Sequence, residues 1–306
     1  MKRFVVNIIC GGIALFFAII IMDVFMLSFE NRWSMFSHER NVIDSYNKLH
    51  SLKDSNKIII ISGSNGAFGI NSRMINRAFD MPVVNTSSTA DIGVRMQFEI
   101  YKEFMHKGDI VVLTPEYGGG YDRLYGGSAL LRVLSTFLPT AYSKVTLKQW
   151  IYVYKYIGIH FDNAINTVND MEFDGPYSDY YLNEFGDIEC ERPHKDSLES
   201  ISINGEVEDD YVAYLKSIFS YAEQKGINLI LLPPTLREHE FKAFNKQIDS
   251  IANILKSNDI CFRAKPSRYS YHDSLYFDTP YHMTQQGANK RTENIIEDIR
   301  KFMSEN

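Results

Sequence analysis

The sequence predicts an α/β domain, doubly wound around a mostly parallel sheet and attached to an N-terminal transmembrane helix. Three observations carry this. Short, β-branched apolar runs alternate with amphipathic helical stretches. The runs end in Ser, Asn, Pro and Thr, residues suited to a sheet edge that does chemistry. A long apolar stretch precedes the first run.

That stretch, FVVNIICGGIALFFAIIIM at 4–22, has Asn7 as its one strongly polar residue, and apolar character resumes after Asp23 through Phe29. About 20 helical residues cross a bilayer core. Lys2 and Arg3 precede the run, which puts the N-terminus in the cytoplasm and the rest of the chain outside it. The region DVFMLSFENRW offers no A-x-A cleavage site, so an uncleaved signal anchor is expected rather than a signal peptide. Residues 1–30 are therefore read as cytoplasmic tip and anchor, embedded in lipid through 4–29, with Trp33 at the interface. Residues 31–55, polar and helical in texture, read as a stalk before an α/β domain at 56–306.

Within that domain, KIIIIS (57–62) suits a strand buried on both faces. A turn, SGSNG, follows, then a helical stripe of Met74, Ile75 and Phe79. PVVN (82–85) is a second strand. Ile92, Met96, Ile100 and Phe104 mark the next helix. GDIVVLTPEY (108–117) and INLILLPP (227–234) are the third and fourth strands. Tyr211, Leu215, Ile218, Phe219 and Ala222 form the helix before the fourth, closed by Gly226. A helix with Phe241, Phe244, Ile248, Ile251 and Leu255 follows, then a short strand near 259–263. The last helix carries Thr284 as N-cap and Ile295, Ile299, Phe302 and Met303 on its apolar face. Residues 118–205 interrupt the alternation and are expected either to cap the strand ends, shaping a cleft, or to form a surface excursion.

The net charge of −6 over 306 residues, with no Lys/Arg runs, argues against nucleic-acid binding. The eight histidines show no HxxxH or HExxH spacing, so no metal site is expected. The three cysteines are read as lone thiols; a Cys190–Cys261 pair stays open for an exported domain.

The chemistry is expected at the strand ends. Ser64 follows a buried strand and opens a helix, where developing negative charge is favoured. A serine needs a base to become a nucleophile, and the base needs an orienting carboxylate. YFDTPYHMTQQGANKRT (276–292) supplies His282 and Asp278 on one Pro-stiffened loop, with Asp273 as the alternative carboxylate. Glu116 reads as a solvated carboxylate or a substrate contact. Tyr117, Tyr121 and Tyr125 read as sugar-stacking rings or lid residues. Arg237 reads as a surface Arg at a helix start or an anion contact, and Arg291 as structural.

SGSNG matches the G-x-S-x-G elbow of α/β-hydrolases only in part. ISGSNGAFGIN, PVVNTSSTADIG, KGDIVVLTPEY and YFDTPYHMTQQGANKRT together resemble the SGNH, or GDSL-type, esterase superfamily. Membrane-anchored members associated with acylation of envelope polysaccharides and teichoic acids are the most similar in arrangement. The resemblance spans 58–292 but leaves 118–205 unmatched. It implies Ser64 as nucleophile, His282 as base and Asp278 as orienting carboxylate, with the N–H groups of Ser64 and Gly93 in the oxyanion hole. The family's Gly-x-Asn-Asp block is replaced by TPEYGGG, so Asn65 or Asn85 would have to serve as the remaining donor. The Asp-to-His gap is one residue longer than in the family. The implied activity is O-acyl, chiefly O-acetyl, transfer to an envelope glycan or its hydrolysis. No cofactor is implied, and a multi-spanning acyltransferase is an implied partner. The alternatives are a plain esterase on lipid or small acyl substrates, and a catalytically weak or inactive glycan-binding or assembly subunit that kept the fold.

Overall fold

In a computed structural model, residues 2–166, 175–195 and 197–305 are described. The chain is mixed α/β. Helix α1 (Lys2–Leu27) has no buried residue and is long and apolar enough to cross a membrane, compatible with a single-pass membrane protein. Helices α2 (Arg32–Phe36) and α3 (Asn41–Ser51) lead into β1 (Ile58–Ser62). Then come α4 (Ser64–Ala67), α5 (Ser72–Phe79), β2 (Val83–Asn85), α6 (Val94–Tyr101) and β3 (Ile110–Thr114). Helices α7 (Tyr121–Tyr125), α8 (Ser128–Thr136), α9 (Leu147–Val153) and α10 (Ile157–Asn166) fill the region after β3. The chain continues through α11 (Asp209–Lys225), β4 (Asn228–Leu231), β5 (Leu236–Arg237), α12 (Glu238–Ala243), α13 (Asn245–Ser257), β6 (Ser270–Tyr271) and α14 (Gln285–Glu305).

The main sheet has the order β2-β1-β3-β4, and every neighbouring pair is parallel. Ile58, Ile59, Ile60 and Ile61 are all fully buried. Successive strand side chains point to opposite faces. Ile59 and Ile61 accordingly join Val84, Val111, Leu113, Leu229 and Leu231 in one core, packed with residues of α3, α6, α8, α11 and α13. Ile58 and Ile60 join Val83, Ile110, Val112, Ile230 and Leu232 in the other, packed with α5 and α14. Helices on both faces explain why these strands read as continuous apolar runs rather than alternating ones.

Thr284 caps α14, its hydroxyl accepting from the Gly287 N–H at 3.1 Å. Gly226 ends α11 at φ 67°.

Several expectations need correction. The stretch near 259–263 forms no strand. It makes one sheet-like contact, Arg263 N–H to Leu231 O at 2.9 Å, and the extra pairing is instead β5 with β6. The helix expected through Phe244 is broken there into α12 and α13. Met303 is 43 % exposed and leaves the apolar face of α14.

Residues 31–55 are no stalk. Asn31, Ser34, His38, Glu39, Val42, Ser45 and Leu49 are buried, and Glu39 is held by Ser34 and by Arg132 of α8. An amphipathic α3 lays its apolar face on the sheet, so the packed domain starts near Asn31. Residues 118–205 are not a mere excursion either, because Leu130, Leu131, Val133 and Leu134 of α8 sit in the first core.

Candidate functional site

The site is built on the turn after β1. Ser62 ends the strand with its hydroxyl donating to Thr114 O of β3 at 2.7 Å. A Cβ at residue 63 would come within 2.8 Å of the Ala90 Cβ, and one at residue 66 within 2.2 Å of the Ser87 hydroxyl. Glycine at 63 and 66 therefore lets the loop after β2 press directly on the turn. From the far side, the fully buried Arg291 of α14 donates to Asn65 O at 2.6 Å, Asn65 Oδ1 at 2.9 Å and Thr114 Oγ1 at 3.1 Å. Burial pulls its pKa down, but nearby tyrosines oppose that shift. The result is a short helix that begins at Ser64, at the carboxyl edge of the sheet.

The Ser64 hydroxyl donates to Glu116 Oε1 at 3.1 Å. The other Glu116 oxygen accepts from Arg123 Nη1 of α7 at 3.0 Å. Glu116 lies just past β3, and its side chain is only 6 % exposed. It is not the solvated strand-end carboxylate that the sequence suggested.

His282 and Asp278 meet on one loop, with Nδ1 to Oδ1 at 3.0 Å. The His282 N–H is pinned to Thr279 Oγ1 at 3.1 Å. Tyr177 joins from the region after β3: its hydroxyl donates to Asp278 Oδ2 at 2.7 Å and lies 3.1 Å from His282 Nδ1. Burial acts to raise the Asp278 pKa. The hydrogen bonds from His282 and Tyr177 and the nearby charges of His282 and Lys195 outweigh it, and the carboxyl is held below its usual value. Burial and the bond to Asp278 push the Tyr177 pKa up, so the phenol stays a donor. With Nδ1 committed to this pair, Nε2 is the ring nitrogen left to act as base.

Phe68 links the halves. Its ring stacks on His282 at 4.3 Å between centroids and 17° between planes. Its N–H bonds to Ser64 O at 2.9 Å, one helical turn from the serine. Among the described residues no hydrogen bond joins Ser64 to His282. Apo active sites often tighten only when substrate binds. Behind the site His38 is buried against Trp33, Phe68 and Tyr177. Burial, partly offset by Glu39 and reinforced by His282, lowers its pKa to about 4.

The other expected site residues divide sharply. Gly93, at φ 81°, gives its N–H to Ala90 O at 3.0 Å. The Asn65 amide bonds to Ser62 Oγ at 2.8 Å and Thr114 O at 3.2 Å. The Asn85 amide bonds to Asp187 at 2.8 Å and Gly66 O at 3.3 Å. These donors serve the scaffold, which leaves the Ser64 N–H from the expected oxyanion set. Tyr117 is buried, and its hydroxyl has no partner among the described residues. Tyr121 is at the surface, stacked on Tyr125 at 5.8 Å. Asp273 accepts from the His239 N–H at 3.4 Å and does not serve His282. Arg237 pairs with Glu240. Cys10, Cys190 and Cys261 are free thiols. Among the described residues no group of three or more His, Cys, Asp or Glu side chains is arranged to hold a metal.

Phe68, Tyr177, Arg123 and His38 escaped the sequence reading. Phe68, four residues after Ser64, had a helical-spacing signal. Tyr177 had none, since 101 residues separate it from Asp278.

A broad surface groove lined by Arg263, Arg268, Glu297, Asp298 and Lys301 includes neither Ser64 nor His282. This groove and the candidate site are separate places, and bonding geometry rather than volume marks the site. No protein-family model matches the chain, and no curated protein matches it.

Proposed function

We propose that the protein is an SGNH-like serine acyl-ester enzyme, anchored by α1 with its α/β domain outside the cytoplasmic membrane. Its reaction would be O-acyl, chiefly O-acetyl, transfer to a cell-envelope polysaccharide or hydrolysis of such an ester. The observation that supports this best is the Tyr177–Asp278–His282 chain, which leaves Nε2 as base on the edge where Ser64 opens its helical turn.

In this reading the Ser64 hydroxyl swings from Glu116 toward His282, which takes its proton as the oxygen attacks the acyl carbonyl. The leaving alcohol receives that proton from His282, and an acyl-Ser64 remains. A glycan hydroxyl or water, deprotonated by His282, then releases the acyl group and regenerates Ser64. Asp278 stays ionised and stabilises the imidazolium. A multi-spanning acyltransferase would supply the acyl group.

The test uses full-length protein in detergent. A fluorophosphonate should label wild type and spare Ser64→Ala, with His282→Ala labelled slowly. Turnover of p-nitrophenyl acetate with an acceptor oligosaccharide would separate the two outcomes by where the acyl group ends. If folded wild type is neither labelled nor active, the proposal fails.

One observation favours a second reading, a glycan-binding or assembly subunit. Three of four expected oxyanion donors are committed to the scaffold, and the Ser64 hydroxyl is held by Glu116. Loss of one such donor in an enzyme costs on the order of 10²–10³ in rate. Saturable glycan binding without Ser64 labelling would support that reading.

A further inference from the structure

Apart from α1, the exposed large apolar side chains among the described residues concentrate in one short region. Leu147, Ile151 and Tyr154 are exposed at i, i+4 and i+7, and Ile159 and Ile165 follow on α10. Leu147 is 77 % and Ile151 70 % exposed, while the opposite side of α9 buries Gln149 and Val153. This helix therefore carries an apolar stripe facing out, opposite the side that packs inward. Scattered exposed apolar residues need no explanation; a helical stripe of them does.

Its place says what covers it. Helix α10 packs along the end of α1: Phe161 lies 6.3 Å from Phe25 and 5.2 Å from Phe29, ring to ring. Tyr154 interacts with Asp23, where the apolar run of α1 is interrupted. The stripe thus begins where the anchor would leave the hydrocarbon. Its composition suits that depth: tyrosines 152, 154 and 156 with Lys155, whose ammonium lies 4.4 and 4.9 Å from the Tyr152 and Tyr156 rings. Aromatic rings and snorkelling lysines favour the headgroup layer.

We propose that α9 and α10 form a second membrane contact. Their exposed face, carrying Leu147, Ile151, Tyr154 and Ile159, lies in the outer headgroup layer beside α1 and seats the domain on the bilayer. The proposal rests on the reading that α1 spans the membrane, but not on any catalytic activity. An interfacial helix of this kind sinks its apolar side chains about 5–10 Å into the headgroup and acyl boundary. The domain would then be held by two contacts rather than swinging on one, with a fixed orientation toward lipid-proximal substrate.

The experiment places an environment-sensitive thiol dye on full-length protein in phosphatidylcholine–phosphatidylglycerol nanodiscs, with and without lipid doxyl-labelled near the headgroup and, separately, deep in the chain. Cys190→Ser and Cys261→Ser leave the native Cys10 as the α1 reporter. With Cys10→Ser added, Ile151→Cys reports on the stripe, and Lys256→Cys on α13 is the soluble control. The three reporter positions are exposed and the half-buried Cys190 is replaced by the nearly isosteric serine, so folding should survive. The expected result is deep quenching at 10, headgroup-level quenching of about twofold or more at 151, and none at 256. Quenching at 10 without quenching at 151 overturns the proposal and leaves the stripe for a protein partner. No quenching at 10 removes the spanning reading and the proposal with it.

Discussion

The two ends of β1 bury polar groups in opposite ways. At its start, Lys57 and Asp109 are both fully buried and 3.0 Å apart. The Lys57 and His106 backbone N–H groups also donate to Asp109, at 3.1 and 2.8 Å. At the other end, past Ser62, the hydroxyls of Ser87, Ser88 and Tyr117 are buried without hydrogen-bond partners among the described residues. A buried polar group left unpaired costs free energy. The paired end is built for stability. The unpaired end sits where β1 delivers Ser64, β3 delivers Glu116 and the loop before α14 brings in Asp278 and His282.

Variants at the two ends should therefore separate activity from stability. The largest effect is expected at the carboxyl end. Ser64→Ala or His282→Ala should lower ester turnover on the order of 10⁴–10⁶-fold, with little change in melting temperature. Equal turnover in folded wild type and variants would erase the distinction drawn above. At the amino end, Lys57→Met leaves Asp109 charged and buried, and should cost about 3–5 kcal/mol of stability by denaturant unfolding. Turnover per folded molecule should hold steady; a specific loss of activity would mean that the two ends are coupled.

His38 tests whether the unpaired end weakens the fold in acid. Its folded pKa is lowered to about 4 from 6.5. Below pH 6.5 the unfolded chain takes up the proton first, so stability falls as pH drops toward 4, by roughly 3 kcal/mol in all. His38→Leu should flatten that part of the stability profile, measured by melting between pH 7 and pH 4.5. An unchanged slope would assign the acid sensitivity elsewhere. The smallest effect is at Tyr177. Tyr177→Phe deletes a donor to Asp278, and turnover should fall about tenfold, the worth of one charge-assisted bond. The acid limb of the pH–rate profile should move to higher pH, because Asp278 loses a bond that favours its ionised form. Identical profiles would reduce Tyr177 to packing.

The legible parts of the molecule were those where local pattern and burial coincide. The isoleucine run could only be a doubly covered strand, and Thr284 and Gly226 announced helix ends by local hydrogen bonding and backbone geometry. Ser64 and the Asp278–His282 pair were visible because strand end and loop spacing are local features. The segment at 31–55 misled because α3 is amphipathic within a polar composition, and its burial depends on β2 and α6, which its own residues do not reveal. Asn65, Asn85 and Gly93 misled for a related reason: a donor's type is written in the sequence, but its partner is not.

By itself the sequence determined the α1 helix, the alternation of strands and helices, the two-faced burial of β1 and the local joining of Asp278 to His282. These follow from periodicity, side-chain shape and short-range geometry. Only the tertiary structure decided that Tyr177 completes the Asp278–His282 pair, that Glu116 holds Ser64, that Arg291 braces the turn and that α9 keeps an exposed apolar face. Each depends on groups far apart in the chain, and a hydrogen bond or a covered surface is a property of two partners, not of one residue type.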